Sequence, residues 1–135
     1  MTGDELIEQF EEGTTRADTF QHADHVRLAF EYLCRYPVLE ALQRFAGALK
    51  RFATAQGKAQ RYHETITWAY LLLIRERIVR AGGSQTWEEF AEHNGDLLIW
   101  KGGVLATLYR QETLDSEFSR HTFVLPDRGR GCDGA

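Results

Sequence analysis

The stretch "VLEALQRFAGALKRFA", Val38 to Ala53, constrains the fold more than any other part of the chain. Val38, Leu39, Leu42, Phe45, Ala46, Leu49, Phe52 and Ala53 recur at intervals of three and four, which lines one side of an α-helix with apolar groups. Pro37 suits the opening of such a helix, where a missing N–H costs nothing, and Gly57 supplies its stop. A helix of this kind is stable only when other elements cover its apolar face.

The covering elements also read as helices. Thr2 to Glu5 is a T-x-x-E capping box, followed by Leu6, Ile7 and Phe10 until Gly13. After a polar linker, Thr14 to Thr19, a second stripe contains His22, His25, Val26, Ala29, Leu33 and Tyr36, and Pro37 ends it. "RYHETITWAYLLLIRERIVRAGG" is apolar on most sides through its middle and is stopped by Gly82 and Gly83, as expected of the central and most buried helix. Thr86 to Glu89 forms a second capping box for a short helix that stops near Asn94 and Gly95. "DLLIW" and "VLATLY" flank Gly102 and Gly103 and predict short helices or turns; a last helical piece lies around Leu114 to Arg120. No strand pattern competes. The expected fold is all-α, a compact single-domain helical bundle of four to six helices over residues 1–127, with 128–135 as a flexible tail too poor in apolar groups to order itself.

Composition narrows the partners. A chain of 135 residues with 43% hydrophobic residues supports one core, so no second domain is needed. Acidic and basic residues alternate around a net charge of −4, without the basic stripe that nucleic acid requires. The apolar run Ala69 to Ile74 is too short to span a bilayer, and "MTGDELIEQF" is acidic where a secretory signal is basic, so a cytoplasmic protein that binds neither nucleic acid nor membrane is expected. Cys34 and Cys132 lack metal-type spacing and are expected as free thiols. Nothing fixes an oligomeric state.

"FQHADHV" holds the first chemical signal. His22 and His25 continue the inward stripe of their helix, and His63 opens another, with Ile66, Thr67, Tyr70 and Ile74. Buried imidazoles need partners, and backbone carbonyls or a carboxylate are the simplest. If the two helices begin at the same end of the bundle, however, three imidazoles converge and suit a divalent transition metal, whether iron, copper, zinc or nickel. Glu64 points roughly 100° away from His63 on a regular helix, so it is a ligand only where the first turn is irregular, and a base or an outer partner is an equal reading. Asp24 either orients an imidazole or complements the helix dipole, and Thr67 and Tyr70 either hydrogen-bond a ligand or fill the core. Phe20, Tyr62, Trp68 and Tyr70 suit a pocket for a small organic molecule. His93 and His121 sit at helix ends without a chemical pattern, and no nucleophile elbow, phosphate loop or dinucleotide fingerprint is present.

"FQHADHVRLAFEYL", "YHETITWAYLLLI" and "TLYRQETLDSEFSRHTFVLPD" together resemble a bacterial group of small all-helical proteins. Their shared segments are F-x-H-x-x-H, Y-H-E-T and a C-terminal run on which Tyr109, Leu114, Ser116, Arg120, Phe123, Pro126 and Asp127 fall. The resemblance implies a helical fold and a site built from His22, His25, His63 and Glu64, and it draws Arg120 into view. Arg120 would clamp a substrate carboxylate or phosphate with its planar fork, or pair with Asp115 or Asp127. Gln21 departs from the pattern, because a short capping residue is usual there.

Two functions follow from these readings. The first is a small metal-dependent enzyme, hydrolase, lyase or oxygen-using, acting on a small organic molecule at a three-histidine site with an open coordination position. There His22, His25 and His63 hold the metal, Glu64 is the base and Arg120 orients the substrate. The second is a non-catalytic helical module with structural histidines, binding a partner through Leu97 to Trp100 and Val104 to Tyr109 where these are exposed.

Overall fold

A computed structural model describes residues 1–128 of the chain. Seven α-helices follow one another: α1 (Gly3–Glu12), α2 (His22–Arg35), α3 (Val38–Ala55), α4 (Glu64–Arg80), α5 (Trp87–His93), α6 (Gln111–Leu114) and α7 (Glu117–His121). Short 3-10 turns lie at Ala17–Thr19, Ala59–Arg61, Gly95–Leu98 and Val104–Thr107, and there is no strand among the described residues. The class is the all-α one that the spacing predicts, and the helix count exceeds the expected range because the C-terminal piece breaks in two. Ser116 causes the break: its hydroxyl accepts the Ser119 N–H at 3.2 Å and starts a new helix there.

The punctuation signals act as expected. Thr2 and Glu5 satisfy each other's backbone N–H groups at 3.1 and 2.8 Å, as do Thr86 and Glu89 at 3.1 and 2.9 Å. Gly13 ends α1 at φ 78°, a left-handed conformation in which a side chain would crowd its own backbone. At the other end of α1, Gly3 lies against Glu31: a Cβ there would come 2.1 Å from its carboxylate and force that side chain to shift. That buried carboxylate is held by Arg35 at 2.8 Å, which also reaches Asp4 at 2.7 Å and so ties α1 to α2.

The main core joins α1 to α5, with Phe10, Val26, Leu28, Phe30, Tyr32, Phe45, Leu71, Ile74 and Phe90 among its buried groups. A smaller cluster of Ala69, Tyr70, Leu105 and Tyr109 holds the C-terminal segment against α4. Two sequence expectations are corrected here. The most buried helix is α2, with six of its 14 residues inside, whereas α4 buries six of 17 and exposes Leu72 and Val79. Apolar residues alone did not separate a helix covered all round from one with an oily outer face. Leu39, placed on the core face of α3, is 76% exposed, because it lies in the first turn of the helix, next but one to Pro37, at the margin of the stripe.

Arg128, the first residue of the expected tail, is tied to the fold. The Arg128 N–H donates to the Leu108 carbonyl at 2.9 Å and its guanidinium to the Ala106 carbonyl at 3.0 Å. The rest of that tail, with Cys132, lies outside the described residues. Cys34 is free and exposed. No helix among the described residues is long and apolar enough to cross a membrane.

Candidate functional site

The three histidines do not converge. His63 is not inside α4 but forms its N-cap, in extended backbone. Its Nδ1 accepts the Ile66 N–H at 3.2 Å, so the proton must sit on Nε2, which donates to the Leu114 carbonyl at 2.7 Å. Both nitrogens are therefore engaged within the chain, and the ring is 8% exposed. Burial holds its pKa below the usual histidine range, and the charge of Arg120 adds to that.

His63 is one part of a polar clasp. Thr65, the last residue of the Y-H-E-T segment, is fully buried; its single hydroxyl proton faces the carbonyls of Ser119 at 2.8 Å and Thr122 at 2.9 Å, and its oxygen accepts the Val124 N–H at 3.0 Å. Ser119 donates to the Thr113 carbonyl at 2.6 Å, Tyr109 to the Val124 carbonyl at 2.6 Å, and Asp127 accepts from Thr113 and from the Arg110 N–H. The segments that stand out in the sequence at 62–65 and 109–127 thus bind each other. What they hold in place is the segment 109–127 on the first turn of α4.

Glu64 and Arg120 belong to the same neighbourhood. Glu64 accepts the Tyr62 hydroxyl at 2.6 Å and lies 4.0 Å from Lys50, while Arg120 donates to the Gln60 carbonyl at 2.8 Å and pairs with Glu117 at 3.4 Å. Arg120 does reach the start of α4, but its fork is spent on a backbone carbonyl and its own helix. Asp115 and Asp127, the expected partners, are taken by Gln111 and by Arg110 with Thr113.

His22 and His25 lie elsewhere. His22 is half-buried at the first turn of α2, and its ring packs against Tyr70 at 4.9 Å and Trp100 at 5.2 Å. Tyr70 lies seven residues beyond His63, about 10 Å along the axis of α4. That offset separates His22 from His63. His22 Nε2 donates to the Leu97 carbonyl at 2.9 Å, which fixes the tautomer and leaves Nδ1 as a bare acceptor. His25 packs on Phe20 at 4.6 Å, and burial, with His22 next to it, pushes its pKa down to about 4. Asp24, between them, accepts the Gln21 N–H at 2.8 Å and so fixes the start of α2 that Gln21 had left open. Among the described residues no three His, Cys, Asp or Glu side chains come together as a metal-holding group. The expected three-histidine centre is therefore not assembled, because one of its members is a cap with no free lone pair.

Three buried polar atoms lack a partner among the described residues: Thr15 Oγ1, Gln85 Oε1 and the hydroxyl of Tyr70, which packs beside His22. Tyr70 is 6% exposed, its hydroxyl is fully buried and no hydrogen bond reaches it among the described residues. Burial, with the Asp96 carboxylate nearby, pushes its pKa up to about 12, so it stays a neutral donor. Asp96 itself is occupied by a two-pronged pair with Arg77 at 2.8 and 3.0 Å. Trp100, 54% exposed, packs beside both rings, 6.3 Å from that of Tyr70. Trp100 and the Leu97 carbonyl escaped the sequence reading, which saw "DLLIW" as a connector with a surface. Of the surfaces expected for a binding module, Ile99 and Trp100 are exposed while Leu97, Leu105 and Tyr109 are buried.

A groove of about 610 Å³ lies away from both histidine regions, lined by Glu11, Leu39, Glu40, Gln43, Arg44 and Arg51. Its charges largely answer one another: Arg44 pairs with Glu40 at 2.9 Å and stacks 4.2 Å from the Tyr36 ring centre, and Glu11 accepts the buried Tyr32 hydroxyl at 2.5 Å. No protein family, curated protein or solved structure matches the chain.

Proposed function

We propose that the chain is a helical module that binds a small organic molecule at the face formed by His22, Tyr70 and Trp100, with His63 serving the fold. The Tyr70 hydroxyl carries this reading: a buried hydroxyl without a partner costs about 1–3 kcal/mol, and a ligand atom relieves that cost. Beside it, His22 offers an acceptor on a ring already anchored through its other nitrogen. The test is a panel of neutral, acidic and basic fragments titrated into the full chain, read at the NMR signal of the Trp100 indole N–H, assigned with Trp100→Phe. Saturable shifts there support the reading. Shifts confined to the groove of Glu11 and Arg44, or none, count against it.

A second reading keeps the metal-dependent enzyme but reduces its centre to two protein ligands. It is favoured by one observation: His22 Nδ1 and the His25 ring, one helical turn apart, have no hydrogen-bond partner among the described residues. Two imidazoles leave most of a coordination sphere to water, so weak uptake of zinc, nickel or copper is the expected property. Tag-free protein dialysed against each ion decides between the centres. Loss of uptake in His22→Ala and His25→Ala with retention in His63→Ala selects the two-histidine site, whereas loss in folded His63→Ala restores the three-histidine one.

A further inference from the structure

We propose that the His63 clasp is an acid-sensitive latch: a proton taken up at Nδ1 releases the segment 109–127 from the first turn of α4 while the main core stays folded. The device needs no ligand at the His22, Tyr70 and Trp100 face.

The closed clasp requires a neutral ring. Nδ1 accepts the Ile66 N–H at 3.2 Å and Nε2 donates to the Leu114 carbonyl at 2.7 Å, so each nitrogen has one fixed role. A proton on Nδ1 turns that acceptor into a second donor facing the Ile66 N–H, and the cap is lost. It also sets a cation at the positive end of the α4 dipole. Burial opposes the charged ring more than the surviving Leu114 bond favours it. The groups around the ring do not repair this: Arg120 of α7 repels the charge more than Asp115 attracts it, and His121 adds to the repulsion once protonated. The other carboxylates nearby are engaged, Glu117 by Arg120 and His121, and Glu64 by Tyr62 with Lys50 of α3 4.0 Å away, while Asp115 itself accepts from Gln111.

The part that can leave is the segment that covers the ring. Of residues 109–127 only Tyr109 and Ser119 are buried, Phe118 and Leu125 are exposed, and the contact with α4 runs through the smaller cluster rather than the main core. The bonds of Tyr109 with Val124, of Ser119 with Thr113, and of Asp127 with Thr113 and Arg110 are internal and travel with the segment. The bonds that fasten it join His63 to Leu114, Thr65 to Ser119, Thr122 and Val124, and Arg120 to Gln60, beside the stack of Phe123 on Trp68. Opening returns the imidazole to water, where it binds a proton at the usual histidine value. Closing expels that proton, so acid favours the open form through one proton.

The experiment is amide hydrogen exchange on the full-length chain from about pH 7.5 to about pH 5, corrected for intrinsic exchange rates. The Val124 N–H, held by Thr65, and the Ile66 N–H, capped by His63, report the clasp; the amides of Leu28 and Phe45 report the main core. Below pH 6.5 the opening constant at Val124 and Ile66 should rise toward about 10-fold per pH unit, the limit for one proton, with Leu28 and Phe45 opening far less at every pH. His63→Asn keeps a capping oxygen but has no proton to take up, so the Val124 constant should be flat with pH whatever its level. The proposal is overturned by a Val124 constant equal to that of Leu28, by one independent of pH in the wild-type chain, or by a slope that persists in folded His63→Asn. Where that variant does not fold, the ring-nitrogen NMR spectrum of the wild-type chain decides: a neutral His63 protonated on Nε2 and titrating below the usual histidine range supports the latch, and any other tautomer or a normal titration overturns it.

Discussion

His63 and His22 begin from the same chemistry and end in different states. Each opens a long helix, each is a neutral imidazole held low in pKa by burial, and each donates its Nε2 proton to the carbonyl of a residue far along the chain, Leu114 or Leu97. They differ in the other nitrogen. His63 stands one position before its helix, where Nδ1 caps the Ile66 N–H; His22 stands inside the first turn, where no orphan N–H faces its Nδ1. A one-residue difference in helix register thus separates a closed structural histidine from an open one.

The sharpest way to break that comparison is to remove each ring. His63→Ala takes away a helix cap, a buried bond to Leu114 and the volume that fills the clasp, so a loss of about 3–4 kcal/mol in urea unfolding is expected. His22→Ala removes a half-buried ring with one bond and should cost about 1 kcal/mol. Equal losses would show that the two are not functionally distinct. Thr65→Val sharpens the same point without a cavity: it orphans the Val124 N–H and two carbonyls and should cost about 2 kcal/mol, with the C-terminal segment the first region to lose amide protection in hydrogen exchange.

Acid should act on the histidines together. The pKa values of His22, His25 and His63 all fall on folding, that of His25 to about 4. The unfolded chain therefore binds more protons than the folded one between pH 6.5 and about 4, and stability rises with pH across that window. The contribution is complete above the unfolded value and is lost as pH falls toward 4; for His25 alone it is roughly 3 kcal/mol. His25→Leu should flatten the slope of unfolding free energy between pH 7 and 4.5. A slope unchanged in that variant assigns the acid sensitivity to other groups.

What could be read from the sequence divides along the same line. Capping boxes, glycine stops and the stripe of α3 are local signals, decided within a few residues, and they place α1, α3 and α5 within a residue or two. The pairing of His63 with Leu114 and of Thr65 with Val124 spans more than fifty positions, and nothing in the spacing of Y-H-E-T says whether its side chains face a metal or a carbonyl. Inward facing is a property of each helix, whereas sharing a site depends on register between helices, and His63 fell outside its helix by one residue. Trp100 was unreadable for the opposite reason: its role comes from packing on His22 and Tyr70, which are remote in sequence.

Tyr70→Phe tests the open side at smaller cost. If the hydroxyl is unpartnered in the free protein, its removal should leave stability unchanged or raise it by up to about 1 kcal/mol, because a desolvated group disappears and the ring stays. A loss above about 1 kcal/mol would instead reveal a bond to buried water.

The smallest effect is expected at Arg120. Its guanidinium, partly exposed, holds the Gln60 carbonyl at 2.8 Å and Glu117 at 3.4 Å, so it ties the turn before α4 to α7 at the rim of the clasp. Lysine can keep one of these contacts but not both, since it lacks the planar fork, and solvent replaces the rest. Arg120→Lys should therefore cost below about 1 kcal/mol in unfolding free energy. It should also leave any ligand affinity at Trp100 untouched, because the clasp and the His22 face meet α4 about two turns apart. A drop in that affinity without a drop in stability would join the two regions that the histidines separate, and would return Arg120 to the role of substrate clamp.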